Sequence, residues 1–419
     1  WLCGSVLGAV GMALHHKLCH TLGGTWNLPH AVTHTVVLPH AVAHNREAAA
    51  EALNRAARPL HARDAAPALF ALREFPALKR GSPVKASLLP SAVLASVASL
   101  PLVAQPPPSP PPPPCAPADN VVCDQQAPED LVALGPQWIA AGAYSGTGGV
   151  VLIRTRDRAS HTAYPSASAV NRLDARTYPG CPGPPGEGGA RFTTHGVYVA
   201  PGDGPVHKLF VVGHGARESI EVFDVDTRPA MPAVTWLGCV VAPEPIGLNS
   251  VRGLPDGGFI TTNFLPRGGT PEATQRMLGG ERNGELWEWH TASGWQKVPG
   301  SEAAGANGVE LSDDGKTLYV AAWGSQSFFR VSRGATPPTR DEIPLGFRVD
   351  NIHWARDGSL MAVGQANQSW KAVKIDPRTL AVRDVVTVAD TPEFGAGTAL
   401  VEVGDKLWVG SFRGNRIVI

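Results

Sequence analysis

An excess of charge is missing from this chain: 36 Lys and Arg stand against 36 Asp and Glu, for a formal net charge of +0. Without a basic face there is no electrostatic ground for binding nucleic acid or an anionic membrane surface. No CxxC pair occurs among the six cysteines, which argues against a zinc site. The apolar run LLPSAVLASVASLPLVA is short for a membrane span and is interrupted by Pro90 and Pro101. What the chain has in quantity is glycine (46) and proline (39), the residues that punctuate turns, so most of its 419 residues read as turn-rich β structure. That length admits two or three domains and a sizeable core.

Three regions differ in character. Residues 1–77 read as helical, with EAAAEALNRAARPL placing Ala and Leu at helical spacing and Arg and Glu opposite. Residues 78–118 begin with Lys79, Arg80 and Lys85, continue through the apolar run, and leave it at LVA before Gln105. A positive start, an apolar middle and a small-residue exit describe a secretory signal peptide. The tract PPPSPPPPP that follows reads as a stiff polyproline linker. Targeting machinery reads N-termini, so residues 1–77 are expected to be a foreign piece fused upstream of an exported protein. The remainder is then secreted or periplasmic if the internal signal acts, and cytoplasmic otherwise, with no stable membrane span.

From residue 119 onward a hairpin recurs. Its six units begin at Glu129, His195, Asn249, Asn307, Asp350 and Thr398, roughly 43 to 66 residues apart. Asp-Gly and Gly-Asp turns between apolar runs, as in NGVELSDDGKTLYVAA, are strong hairpin signals. Six units of about 50 residues specify a mainly β fold, a six-bladed β-propeller over residues 119–419, preceded by a small α-helical fragment. A polar residue just before the innermost strand of each blade would stand at one end of the central channel. Glu129, Asn249, Asn307, Asp350 and Asn351 would converge there as hard oxygen donors, a set suited to calcium, which takes about 6–8 oxygens. His195 enters the first strand of its hairpin and His214 leaves the second, so both imidazoles should face that same mouth.

These hairpins resemble the serum paraoxonase family of calcium-dependent lactonases and arylesterases, within the wider gluconolactonase-like six-bladed propellers. The likeness rests on PEDLVAL, THGVYV followed by LFVVGH and ESIEVF, LNSV, GANGVELSDDGKTLYVA and VDNIHW, in order over most of residues 127–419. The resemblance implies a catalytic calcium held by Glu129, Asn249, Asn307, Asp350 and Asn351, and a proton-transfer dyad of His195 and His214. It also implies a second, structural calcium at Asp130 and the backbone of Val197. Two departures stand out. Ser250 and Phe264 occupy places where the animal enzymes carry acids, and the family's ring-closing terminal cysteine is absent, the chain ending FRGNRIVI. Ring closure is therefore expected to rely on strand pairing.

The N-terminal piece, through ALHHKLCHTLGGTWNLPHAVTHTVVLPHAVAHN, resembles the iron-containing alcohol dehydrogenases, especially maleylacetate reductases. The resemblance places His16 and His30 at metal-ligand positions and His20 nearby in the cleft. Two imidazoles alone bind metal weakly, and no glycine-rich nucleotide loop accompanies them, so this half-site is expected to be inactive.

The function expected from the sequence is calcium-dependent hydrolysis of a small lactone or aryl ester. Calcium would polarise the carbonyl, His195 would deprotonate water, and His214 would orient it or shuttle its proton. The alternatives are a ligand-binding propeller without turnover and a remnant reductase. Several residues carry two readings. Asn and Asp at strand starts also serve as plain turn caps. Trp323 and Phe264 either wall a pocket or pack between blades, Asn263 either meets a substrate carbonyl or caps a strand, and His353 reads as a cross-strand neighbour. Cys115, Cys123, Cys181 and Cys239 allow three pairings, and the spacing selects none. The sequence does not set the oligomeric state.

Overall fold

Six sheets, antiparallel save for one short edge strand, account for nearly all regular structure in the computed structural model, which describes residues 113–419 apart from 187, 188, 201, 203 and 268. The helical fragment expected over residues 1–77, with His16, His20 and His30, and most of the signal-like segment lie outside the described residues. Among the described residues no helix is long and apolar enough to cross a membrane.

A short strand β1 (Val121–Val122) precedes the first blade, β2 (Leu131–Leu134), β3 (Trp138–Gly142), β4 (Val150–Arg154) and β5 (Ser160–Tyr164). The second blade gathers β6 (Val170–Asn171), β7 (Phe192–Val199), β8 (Val206–Gly215), β9 (Ser219–Asp226) and β10 (Ala233–Val241), with β6 added parallel to the outer edge of β10. The third is β11 (Leu248–Gly253), β12 (Phe259–Asn263), β13 (Glu285–His290) and β14 (Gly294–Lys297). Between β12 and β13 the chain forms α1 (Pro271–Leu278), the one α-helix among the described residues. Thr270 caps it by accepting from the Ala273 N–H, and Pro271 starts it, a pairing of cap and first-turn proline that suits a short helix.

The fourth blade comprises β15 (Ala306–Leu311), β16 (Thr317–Ala322), β17 (Ser327–Ser332) and β18 (Arg340–Pro344). The fifth is β19 (Arg348–Trp354), β20 (Leu360–Ala366), β21 (Ser369–Ile375) and β22 (Val382–Ala389). The sixth is β23 (Gly397–Val403), β24 (Lys406–Ser411), β25 (Ile417–Val418) and, from the other end of the propeller sequence, β1. Val121 pairs with Val418 and Val122 with Ile417. The ring thus closes by strand pairing.

The first strands β2, β7, β11, β15, β19 and β23 each contact the first strands of both neighbouring blades, so they form a closed inner ring. That position explains their composition. β11 and β15 are buried along their whole length, whereas the outermost β22 is mostly exposed. Six hydrophobic clusters fill the six seams between adjacent blades. Phe210, Phe223, Phe259, Phe328 and Phe329 are fully buried there, each contributing about 1.5–3 kcal/mol by burial.

Two disulfides, Cys115–Cys123 and Cys181–Cys239, select one of the three pairings the sequence left open. The second ties the loop before β7 to β10 of the same blade, across a sequence separation of 58.

Candidate metal centre

Five of the six inner strands carry an irregularity at the same place. The register between β7 and β8 shifts across His195 and Gly196, between β11 and β12 across Asn249 and Ser250, between β15 and β16 across Asn307 and Gly308, and between β19 and β20 across Asp350 and Asn351. A shift also falls at Thr398. Two residues oppose one in the first four, which is a β-bulge, a device that re-aims a side chain out of the regular alternation. The sequence reading placed these polar residues ahead of the inner strands. They lie instead within them, at the bulges, and Glu129 and Asp130 directly precede β2.

Glycine makes the close packing of bulges feasible. A Cβ on Gly196 would stand 2.6 Å from the Asn249 carbonyl oxygen, and one on Gly308 2.6 Å from the Ile352 nitrogen. Neighbouring bulges therefore meet backbone to backbone, which a larger residue would prevent.

This arrangement brings four of the five expected oxygen ligands into linked contact. Asn351 Nδ2 donates to Glu129 Oε1 at 2.9 Å, the charge of Glu129 acts on the Asp350 carboxyl, and His195 Nε2 lies 3.6 Å from Glu129 Oε2 and 3.3 Å from Asn249 Nδ2. Asn307 joins through its bulge, since Gly308 packs on the backbone of Asp350 and Asn351. Glu129 Oε2, Asn249 Oδ1, Asn307 Oδ1 and Asn351 Oδ1 are all buried with no hydrogen-bond partner. Partnerless buried acceptors are costly and rare, and four in one cluster need an explanation. Both carboxylates show the same unmet demand. Burial first, and then the charge of Asp130, push the Glu129 carboxyl up to about 8; burial and the neighbouring Glu129 raise that of Asp350 well above its ordinary range. Among the described residues no Lys or Arg pairs with either one, and no cluster of three or more His, Cys, Asp or Glu is arranged to hold a metal. The set is two carboxylates and three amides, all acceptor oxygens. That donor chemistry fits a hard divalent cation such as calcium.

Beside this cluster His195 Nδ1 lies 3.0 Å from His214 Nε2. His214 Nδ1 in turn lies 2.9 and 2.8 Å from the two oxygens of Glu218. Burial depresses both imidazoles, His195 to about 4, while Glu218 works in the opposite sense on His214. The Tyr144 ring packs 4.5 Å from that of His195, centroid to centroid. A cavity of about 230 Å³ opens over the pair, lined by Tyr144, His195, His214, Phe264, Leu265 and Arg267 among others. Sequence reasoning missed Glu218. It stands four residues after His214, across the turn that joins β8 to β9, and that spacing on a tight hairpin is the signal that could have found it.

Asp130 is used differently from the expectation of a second calcium. Its Oδ1 accepts from the Leu131 N–H at 2.9 Å and lies 2.7 Å from His353 Nε2, and its Oδ2 accepts from the Val197 N–H at 2.9 Å. Val197 turns its N–H, a donor, toward the carboxylate, and no oxygen of Asp130 is left bare. Burial opposes a charge on His353, but Asp130 and Glu310 outweigh it and hold the imidazole at about 10, so an imidazolium stands beside Asp130. Asp130 is thus held by two backbone N–H groups and His353, and His353 is a charge partner rather than a plain cross-strand neighbour. Glu310 continues this network to Arg252 at 2.9 Å.

The residues with two readings divide. Asn263 accepts from the Gly247 N–H and donates to Glu285, so both ends of its amide serve the strand end. Trp323 donates to Gln365, lies under the Arg348 guanidinium and meets Phe264 edge-on, so it packs between blades. Phe264 reaches the cavity as well.

Comparison with known proteins divides the chain in the same way. Residues 1–78 match the Fe-containing alcohol dehydrogenase family, C-terminal. Maleylacetate reductase of Burkholderia cepacia is 51% identical over 89 residues, 21% of this chain and 24% of that protein. Maleylacetate reductase of Pseudomonas sp. (strain P51) is 56% identical over 84 residues, 20% of this chain and 23% of that one. The chain thus spans about a quarter of the length of the reductases it matches. Residues 121–418 form a six-bladed β-propeller with gluconolactonase-like structural neighbours. A gluconolactonase from Xanthomonas campestris aligns with a TM-score of 0.44 at 16% identity, over 71% of this chain and 88% of that one. A nidogen/laminin complex aligns with a TM-score of 0.41 at 10% identity, over 63% and 80%.

Proposed function

We propose that the propeller is a calcium-dependent hydrolase of small lactones or aryl esters. The observation that carries this reading is the placement of His195 Nε2, 3.6 Å from a buried carboxylate oxygen that has no partner, at the edge of a cluster of such oxygens. A base beside a hard-cation cluster and under an open cavity is the arrangement that metal-assisted hydrolysis requires.

Glu129, Asn249, Asn307, Asp350 and Asn351 would hold the ion. When bound, calcium supplies polarisation of a carbonyl and charge stabilisation for the oxyanion. His195 is neutral at physiological pH and presents Nε2 as the acceptor for a proton of the attacking water. His214, through Nε2, takes over the proton that His195 releases from Nδ1. Tyr144 holds the plane of His195 by ring packing, and Phe264, Leu265 and Pro266 give the cavity an apolar wall against which a ring or short chain can lie. Arg267 brings a positive charge to the same cavity. With about 230 Å³ of space, the cavity suits a single ring rather than a polycyclic ester. The propeller is proposed to act on a small molecule, outside the cytoplasm if the internal signal operates. The N-terminal piece is proposed to contribute no reductase activity.

Assay of the full chain with δ-valerolactone and 4-nitrophenyl acetate tests this. Turnover that disappears with a chelator and returns with calcium supports it. No turnover at saturating calcium would leave a ligand-binding propeller, and NADH oxidation with maleylacetate would revive the reductase reading.

A further inference from the structure

Glu218 is a buried carboxylate, 8% exposed, that pairs with no Lys or Arg among the described residues. Its nearest basic neighbours are engaged elsewhere: Arg217 bonds Glu221, and Arg267 bonds Glu244. Both of its oxygens lie against His214 Nδ1, and Oε2 also accepts from the Leu248 N–H of the next blade at 3.2 Å. Burying a carboxylate costs free energy that one backbone N–H and one imidazole N–H only partly offset. Such a group persists where its charge has a use.

Donor and acceptor logic shows what that use is. An ionised carboxylate only accepts, so His214 carries its proton on Nδ1. His214 Nε2 is then an acceptor, and His195 must donate to it from Nδ1. His195 Nε2 is left as the bare nitrogen, and it faces Asn249 Nδ2, a donor, and the oxygen cluster. One carboxylate thereby sets two tautomers in series and aims a lone pair at the candidate metal centre.

We propose that Glu218 is a positioning residue of this site, the third member of a Glu218–His214–His195 relay that fixes the tautomers and stabilises the proton received by His214. This rests on the hydrolase reading above. In the step, a water O–H bond breaks as its oxygen bonds to the carbonyl carbon, and the proton forms a new bond to His195 Nε2. The His195 Nδ1–H bond breaks and His214 Nε2–H forms, leaving His214 as an imidazolium held by the Glu218 carboxylate. The reverse transfer delivers a proton to the departing alkoxide, so the relay ends as it began. The ionisable groups around His214 are Tyr144, Arg191, His195, Arg217, Glu218 and Arg267.

The test uses the full chain with Glu218→Gln and Glu218→Asp. Glu218→Gln is expected to lower kcat on the order of 10²-fold, as for loss of general acid–base assistance, with KM and calcium affinity within about twofold of the parent. Glu218→Asp should recover part of kcat. Heteronuclear NMR of the imidazole nitrogens should show His214 as the Nδ1–H tautomer in the parent and as a mixture in Glu218→Gln. An unchanged kcat, or a kcat loss matched by equal losses in calcium affinity and thermal stability, would overturn the assignment. If Glu218→Gln fails to fold, Glu218→Asp decides by the same readouts. If the parent hydrolyses neither substrate, the functional reading fails, and NMR still judges the relay: His214 as the Nε2–H tautomer would overturn it.

Discussion

Glu129 and Asn351 are 222 positions apart in the chain, yet Asn351 Nδ2 donates to Glu129 Oε1 at 2.9 Å within the inner ring. The contact joins the start of the first blade to the bulge of the fifth. It can form only once the toroid has brought the ends of the sequence around.

Asn307 offers the cleanest test of the metal cluster, because its Oδ1 is buried and partnerless while its neighbours are tied to one another. Asn307→Ala is expected to weaken calcium binding roughly 10–100-fold, the scale of losing a supporting group at a metal site, with little loss of folded structure in the absence of calcium. Isothermal titration of parent and variant decides this. Equal affinities would remove Asn307 from the cluster.

His195→Gln should separate binding from chemistry. A glutamine keeps a hydrogen-bonding side chain but cannot take a proton at neutral pH, so kcat should fall about 10²–10⁴-fold while calcium affinity stays near that of the parent. A parallel fall in calcium affinity would show His195 to be a structural member of the cluster.

The pH dependence of stability should differ with and without calcium. The Glu129 carboxyl is raised from 4.5 to about 8, so its contribution is fully present below 4.5 and is lost as pH rises through about 8. Asp350 acts in the same direction. His195 is lowered from 6.5 to about 4, so its contribution is present above 6.5 and is lost as pH falls through about 4. Between pH 6.5 and 8 the carboxylates act, and His353, raised from 6.5 to about 10, adds to the same slope with or without calcium. In that window the calcium-free protein should lose stability as pH rises, and saturating calcium should flatten the slope by keeping the carboxylates ionised. Thermal melts across the window, with chelator and with calcium, measure both slopes. A calcium-free stability that rises instead would contradict the carboxylate shifts.

His353→Phe should be costly although it lies away from the cavity. It would strand Asp130 as a buried charge without its imidazolium, and breaking such a pair costs about 3–5 kcal/mol. Denaturant unfolding of the variant reads this directly, and a change below about 1 kcal/mol, the level of an exposed pair, would show the network to be well solvated.

Removing Cys181–Cys239 by double substitution to alanine should lower stability by about 2–5 kcal/mol, the range for native disulfides. Unfolding of the oxidised parent against the variant gives the value.

Much of this architecture can be read in the chain itself. NSVRGLPDGGFITTN and NGVELSDDGKTLYVAA mark their hairpins through Asp-Gly turns between apolar runs, and the six recurrences count the blades. The residues of the oxygen cluster are legible for the same reason, since a repeated position becomes a repeated place in a ring. The bulges are not legible, because a register shift depends on the partner strand as much as on Asn249 or Asp350. Nor is the reach of His353 to Asp130, which crosses from the fifth blade to the first. Glu218 escaped notice because a carboxylate after a turn looks like any solvated one until the Leu248 N–H of the next blade closes over it. The short strand β6 has only two residues and no alternation to betray it.

The pairing of Val121 with Val418 also imposes an order of events during synthesis. A ribosome releases Glu129 first and Asn351 much later, and the strand that seals the sixth blade against its opening partner follows both. The outer edge of the sixth sheet is formed by β1, which has no partner until Ile417 and Val418 have been made, so that sheet is completed only after the other five.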